Sequence, residues 1–240
     1  MSEFIPTVFG FILVGFKPDL LLGDGMNFRE RFKAVMNFQP VDRLPAMEWI
    51  CWWDKTIERW RSEGLPNGIG REDILRHFGL DVQERIWLSP RFQIGRQQDK
   101  ARSTGIIETE ADYERMVLPC CSKPVVDLEK VKRIAEKQKR GEVIFELTLD
   151  GFFWYPREIF GVERHLFAFF DQPELMCRMN EDLCRYHLSY LEQVLEITVP
   201  DVLQFAEDLS YNNGPMLSKE HFDEFVAPYY RRIIPRVRDA

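Results

Sequence analysis

Residues 202–230, VLQFAEDLSYNNGPMLSKEHFDEFVAPYY, join a short apolar run to an acidic pair and a capped helix. The run 202–206 predicts a buried β-strand, and Glu207 and Asp208 follow it directly. Ser218 is typical of a helix N-cap. In α/β barrels the side chains just beyond the C-terminal ends of the strands carry the chemistry. This stretch therefore predicts a functional site at the end of a strand.

A second strand end lies earlier in the chain. Residues 142–149, EVIFELTL, form a mostly apolar run that predicts a parallel strand, and Asp150 comes at its end. A long helical region, 163–196, separates this run from the strand at 202–206. Parallel strands need such crossover helices. We therefore expect Asp150 to lie at the same edge of the sheet as the acidic pair.

A third candidate strand is residues 44–50, which would end near Glu48. It follows a predicted helix that begins with a capping box of Asn27 and Glu30. Residues 83–88 and 92–94 are predicted to pair as a hairpin across a Ser-Pro turn.

Aromatic residues follow two of these strand ends. Trp49, Trp52 and Trp53 lie within five residues and cannot all face inward from one strand. At least one of them is therefore expected to line a pocket for a planar or apolar ligand. Core packing is the alternative for the others. The candidate binding residues are Trp49, Trp52, Trp53, Trp154, Tyr155 and Arg157.

The carboxylates at predicted strand ends are the candidate catalytic residues: Glu48, Asp150, Glu207 and Asp208. Crowded carboxylates raise one another's pKa and can serve as general acids, general bases or metal ligands. The alternative is structural, because a carboxylate can also cap a helix or pair with Arg157 or Lys219. At least one of the four is expected to be functional.

Composition excludes some classes of function. The net charge of −7 argues against a nucleic-acid partner, since phosphate binding needs clustered Lys and Arg. The 5 cysteines are odd in number and irregularly spaced. They favour reduced thiols and a cytoplasmic location over a disulfide framework. The chain contains no Gly-rich phosphate loop, GxSxG elbow or HExxH motif.

The N-terminal residues differ from the rest. Residues 4–16 form an apolar run that is shorter than the ~20 residues a membrane span needs, and no basic region precedes it. Residues 1–25 are therefore interpreted as an apolar extension outside the fold, and residues 26–240 as the folded domain. A weak membrane-associating tail and a strand that packs on the domain are the alternatives.

Three blocks, 27–48, 150–173 and 207–230, resemble the uroporphyrinogen decarboxylase family in its broad sense, which includes cobalamin-linked methyltransferases. The resemblance implies an α/β fold of the TIM (β/α)8-barrel type. It also implies action on a tetrapyrrole, by porphyrinogen decarboxylation or by corrinoid-linked methyl transfer. A closed barrel has eight strands and about 250 residues, whereas three or four strands can be counted here. The barrel is therefore predicted to be incomplete at its C-terminal end.

The branch of the family affects the expected cofactors. True decarboxylases hold their substrate carboxylates with a loop arginine after the first strand, and no arginine lies between that strand and Arg59. Strict uroporphyrinogen decarboxylation is therefore disfavoured. The methyltransferase branch implies zinc and a corrinoid as cofactors. A corrinoid protein and, separately, a second copy of the chain in a homodimer are the expected protein partners. The zinc ligands of that branch include a His-x-Cys, which this sequence does not contain, so no metal site is predicted within the chain.

A different class of function is the alternative. The chain would then be a non-catalytic remnant, or a protein that binds a corrinoid or another planar ligand in its aromatic pocket without turnover.

Overall fold

The computed structural model describes residues 25–94 and 105–240. At its centre is a parallel sheet of β1 (Val82–Leu88), β2 (Val143–Asp150) and β3 (Val202–Ala206), in that order. The residue ranges of β2 and β3 agree with the sequence prediction to within a residue. Because both strands run in the same direction, their C-terminal ends meet at one edge, as predicted.

Helices flank the sheet, and several begin where the sequence predicts. Asn27 and Glu30 form the expected reciprocal cap, with both hydrogen bonds at 3.0 Å. Ser218 accepts a hydrogen bond from the His221 backbone N–H at 3.2 Å. The helices are α1 (Phe28–Met36), α2 (Asp54–Ser62), α3 (Arg71–His77), α4 (Arg91–Ile94), α5 (Glu110–Met116), α6 (Leu128–Lys139), α7 (Trp154–Phe160), α8 (Val162–Asp171), α9 (Pro173–Leu195), α10 (Lys219–Phe225) and α11 (Ala227–Arg238).

Two shorter elements complete the described secondary structure. A 3-10 turn, Leu118–Cys121, follows α5, and a small antiparallel pair, β4 (Ser210–Tyr211) with β5 (Gly214–Pro215), follows β3. In the part of the chain that the structure describes, no helix is long and apolar enough to cross a membrane.

The main core lies on one face of the sheet. Phe145, Leu147 and Leu149 point to this face from β2 and are fully buried. They belong to the same apolar cluster as Val131 of α6 and Leu183 of α9. Each such side chain contributes about 1.5–3 kcal/mol through burial, so this face supplies much of the stability of the fold.

The prediction of a strand at residues 44–50 is wrong. The segment is irregular. Its Ala46 carbonyl accepts from the Asp81 backbone N–H just before β1 at 2.8 Å, but two later carbonyl groups accept from a side chain rather than from a neighbouring strand. Arg71 donates to the carbonyl oxygens of Glu48 at 2.7 Å and Ile50 at 2.9 Å. Arg43 anchors the start of the segment by pairing with Asp81 at 2.7 Å.

The predicted hairpin of residues 83–88 with 92–94 is also wrong. Residues 82–88 form β1, which pairs in parallel with β2, with Val82 opposite Val143 and Leu88 opposite Leu149. Residues 91–94 form the short helix α4. The true partner strand lies about sixty residues further along the chain, where local pairing rules do not reach.

The predicted barrel is shown only in part. The residues described form an α/β structure with three parallel strands, and these do not close on themselves. The predicted extension, residues 1–25, lies outside the described residues except for Gly25, and it stays a prediction.

Candidate functional site

The second face of the sheet is polar. Side chains that alternate with the core residues form rows across the strands: Arg85 lies opposite Glu146, and Trp87 lies opposite Thr148, which in turn lies opposite Gln204. Neighbouring residues on parallel strands point to the same side of a sheet. The polar face is therefore built from all three strands.

Ion pairs and hydrogen bonds join these rows. The Arg85 Nε atom lies 2.8 Å from Glu146 Oε1, and the Glu146 side chain is almost fully buried. The Thr148 hydroxyl donates to Glu146 Oε1 at 2.9 Å and also contacts Gln204 Oε1 at 3.3 Å. Such partners offset the cost of removing a carboxyl group from water.

Asp150, at the end of β2, is fully buried and accepts hydrogen bonds from four groups. Arg91 donates through Nε at 2.9 Å and through Nη2 at 3.1 Å. The Trp87 indole N–H donates at 3.0 Å, and the Ser89 hydroxyl also donates. A bidentate arginine pair is geometrically specific. Because its oxygens are fully engaged, Asp150 positions other groups rather than facing a ligand.

Glu207, directly after β3, holds the start of α7. It accepts from the Phe153 backbone N–H at 3.1 Å and from the Trp154 backbone N–H at 2.7 Å. The Tyr230 hydroxyl donates to the same carboxyl group. Burial raises the pKa of Glu207, and its hydrogen bonds with Tyr230 and with backbone N–H groups oppose that rise without cancelling it.

A glycine makes room for this carboxyl group. A Cβ atom placed on Gly151 would lie 2.0 Å from Glu207 Cδ. The backbone at Gly151 therefore lies directly beneath the Glu207 side chain, which brings the ends of β2 and β3 together.

Asp208 is half-exposed and pairs with Arg157 of α7. The Arg157 Nη2 group donates to its carboxylate at 2.8 Å. The Arg157 guanidinium carbon also lies 4.4 Å from the centre of the Trp154 ring. The predicted residues Asp208, Arg157 and Trp154 therefore do lie together.

A cavity of about 230 Å³ opens on the polar face near the strand ends, with Glu207 in its wall. Its remaining lining is a mixture of indole rings and polar side chains, together with two apolar residues of β3. We call it the indole cavity; its lining residues are Trp49, Arg85, Trp87, Thr148, Trp154, Gln204, Phe205, Ala206 and Glu207.

Several predicted site residues lie elsewhere. Trp52 packs edge-on against Trp60, with ring centres 5.2 Å apart, and Trp53 is 75% exposed beside α2. Both fall outside the indole cavity because the segment before α2 is not a strand and does not point them to the sheet. Glu48 accepts from the Ile50 backbone N–H at 3.2 Å and is likewise absent from the cavity wall.

Tyr155 faces the core rather than the cavity. Its hydroxyl lies 3.1 Å from the Cys121 sulfur, and its side chain is fully buried. Burial raises the pKa of the Cys121 thiol to about 12. This thiol is therefore protonated at neutral pH and is not an activated nucleophile.

The sequence reasoning missed three residues of the polar face, Arg85, Trp87 and Gln204, and Arg91 of α4, which pairs with Asp150. The alternation of Arg85 and Trp87 along β1 was a readable signal, but the hairpin prediction obscured it. Arg91 could not be found in this way, because 59 residues separate it from Asp150.

No metal centre can be assembled from the described part of the chain. Within residues 25–94 and 105–240, no group of three or more His, Cys, Asp and Glu side chains could hold a metal ion. The described residues therefore do not fit the zinc ion that the methyltransferase branch implies.

Comparisons with known proteins give support at the level of the fold. No protein-family model matches the chain, and no curated protein matches it significantly. A solved structure, a methyltransferase from Methanosarcina mazei, is similar over 88% of this chain and 67% of that chain, with a TM-score of 0.50 and 13% sequence identity. At that identity the similarity shows the fold alone. The described residues of this chain share their α/β fold with a methyltransferase.

Proposed function

We propose that this chain belongs to a methyl-transferring enzyme of the uroporphyrinogen decarboxylase family in its broad sense. In this proposal the indole cavity holds the small methyl-bearing partner, and a corrinoid is the other partner. The observation that carries the proposal is the position of Glu207, a partly buried carboxyl group with a raised pKa, in the wall of an aromatic cavity. The likeness in fold to a methyltransferase supports it.

Glu207 would act as a general acid. When a methyl group leaves an oxygen or nitrogen atom without its bonding electrons, that atom keeps the electron pair and needs a proton. Burial raises the pKa of Glu207, which favours its protonated form relative to an exposed glutamate, so this carboxyl group is suited to donate a proton beside the cavity. Oε2 accepts one hydrogen bond, from Trp154, whereas Oε1 contacts both Phe153 and Tyr230. Oε2 is therefore the oxygen that would carry the proton.

The mouth of the cavity suits a planar macrocycle, although its interior does not. A volume of about 230 Å³ is below the range of ordinary ligand pockets, which begin at about 300 Å³. Trp49 and Trp87 are 59% and 41% exposed, and such indole faces can pack against a flat apolar ring. A corrinoid, when bound, supplies the cobalt centre that exchanges the methyl group. This chain's residues would orient the small partner and exclude water.

Decarboxylation of a porphyrinogen is the less favoured branch of the same resemblance. An eight-carboxylate tetrapyrrole needs several cationic clamps. Among the residues that line the indole cavity, Arg85 is the one cation.

The test is an activity assay with a matched control. The protein is mixed with reduced cobalamin and a panel of aryl methyl ethers, methylamines and methyl thioethers, and methylation of the corrinoid is followed by absorbance. Glu207→Gln should lower kcat by about 100-fold or more, the usual contribution of a general acid. Glu58→Gln, at an exposed position, should leave it unchanged. Full activity in Glu207→Gln would disprove the role of this residue, and inactivity of the native protein would disprove methyl transfer.

One observation favours a second candidate, a binding protein without turnover. The donors around Glu207 are also explained by a purely structural role, because two of them are backbone N–H groups at the start of α7 and the third, the Tyr230 hydroxyl, ties in α11. A ligand that binds with native affinity to both the native protein and Glu207→Gln, with no methyl transfer in either, would favour this candidate.

A further inference from the structure

Arg85 reaches the indole cavity with donor groups to spare. Its Nε atom lies close to Glu146, but within the described residues that atom makes no aligned hydrogen bond. None is formed by its two terminal nitrogens either, and the side chain is 23% exposed. A guanidinium group carries five N–H donors in a rigid fork that matches a carboxylate. Arg85 is therefore poised to bind an anion from inside the cavity.

The electrostatics of the walls disfavour a cation as ligand. Indole faces can bind an ammonium group, but two of the three in the cavity already face an arginine. The Arg85 guanidinium carbon lies 5.4 Å from the centre of the Trp49 ring, and that of Arg157 lies 4.4 Å from the centre of Trp154. A bound ammonium would meet like charges at these faces.

The position of Glu146 leaves the outer edge of Arg85 open. Glu146 approaches from the Nε side, and the Thr148 hydroxyl holds its Oε1 atom at 2.9 Å. An arginine can pair with one carboxylate through its Nε side and with a second through its two terminal nitrogens. Gln204 offers a further donor, because Thr148 contacts its amide oxygen and its NH2 group makes no hydrogen bond within the described residues.

The cavity walls are flat and partly fixed. The Trp87 ring is held by the hydrogen bond from its N–H to Asp150, and Trp154 begins α7. Ring faces such as these stack against a planar ligand. We propose that the indole cavity binds a small aromatic carboxylate, whose carboxylate group pairs with Arg85 and whose ring packs against the indoles. The inference rests on the proposed function in taking this cavity as the substrate site.

The first experiment compares three probes of similar size on the full chain by calorimetry: benzoate, benzamide and benzyltrimethylammonium. Benzoate should bind at least about tenfold more tightly than either of the other two, since a charge-assisted bidentate contact is stronger than a neutral one. Equal or tighter binding of benzamide or of the ammonium probe would overturn the proposal, as would no binding of benzoate.

Variants of Arg85 connect the affinity to the residue. Arg85→Lys keeps the charge beside Glu146 but loses the fork, and it should weaken benzoate binding by about tenfold. The double variant Arg85→Gln with Glu146→Gln removes both charges together, so that no buried charge is left unpaired, and it should abolish the preference for benzoate over benzamide. Arg140→Gln, at an exposed pair with Glu142, is the matched control and should bind as the native protein does.

The two proposals fail separately. Benzoate carries no methyl group to transfer, so its binding does not depend on turnover. Arg85-dependent binding in a protein without methyl transfer would sustain this inference and remove the proposed function. Methyl transfer together with a benzoate affinity that does not change when Arg85 is replaced would sustain the proposed function and remove this inference.

Discussion

The two faces of the central sheet do different work, although they are built by alternate residues of the same strands. On β2, Leu147 is fully buried in the apolar core, whereas the next residue, Thr148, lines the indole cavity. The apolar face contributes burial free energy, and the polar face contributes charged and hydrogen-bonding groups held in fixed rows. A one-residue shift of register would exchange the two roles. Stability and recognition are therefore set by one register.

A substitution at Asp150 tests whether this residue of the polar face contributes to stability or to activity. It lies on the polar face but is as deeply buried as the core. Asp150→Ala should lower the free energy of unfolding by about 3–5 kcal/mol, because it removes the carboxylate that faces two nitrogens of the buried Arg91. Urea denaturation measures the loss. Unchanged stability with lost methyl transfer would instead make Asp150 a catalytic residue.

Adjacent residues on β2 sharpen the comparison. Leu147→Ala should cost about 2–5 kcal/mol through lost burial and the cavity it leaves. Thr148→Val, similar in size to the native residue, should cost about 1 kcal/mol, because it removes the hydrogen bond to Glu146. Urea denaturation of the two variants gives the two losses in free energy of unfolding, which are then compared. Equal losses would mean that the polar face contributes to stability as much as the core does.

The smallest expected effect is in the pH dependence of stability. Burial raises the pKa of Glu207 in the folded chain above its unfolded value of about 4.3. Between these two pKa values the folded state binds more protons at Glu207, so the contribution of this residue to stability is fully present below pH ~4 and is lost as pH rises through the folded pKa.

The glutamine in Glu207→Gln does not titrate. The free energy of unfolding of this variant should therefore rise relative to that of the native protein as pH rises from about 4 to 8. Melting temperatures of both proteins, measured at constant ionic strength, test this. Parallel curves would mean that the pKa of Glu207 is not raised, and the opposite slope would mean that it is lowered.

The local signals in the sequence predicted the local structure well. The apolar run before Glu207 is β3 with the predicted bounds, and the capping box at Asn27 is present. These features depend on residues that are neighbours in the chain, so propensity and pattern suffice to find them. The meeting of Asp150 and Glu207 at one edge followed from the crossover rule alone.

The site depends on contacts between residues that are far apart in the sequence. In the irregular 44–50 segment, two carbonyl groups accept hydrogen bonds from Arg71, which lies more than twenty residues away. The predicted pairing of β1 was wrong because its true partner, β2, also lies far away in the sequence. One signal was available and unused: in EVIFELTL, Glu146 and Thr148 alternate with apolar residues, which indicates a strand with one polar face rather than a strand apolar on both faces.

Gly151 has a consequence for how this sequence can change over time. Its constraint is one of space, since the Glu207 carboxyl group occupies the volume where a side chain would begin. Substitutions at positions 151 and 207 are therefore expected to occur together. A side chain at 151 is acceptable only with a shorter residue at 207, and that exchange would remove both the cap of α7 and the proposed acid. Among relatives that share this fold, a glycine at the first position should accompany a glutamate at the second.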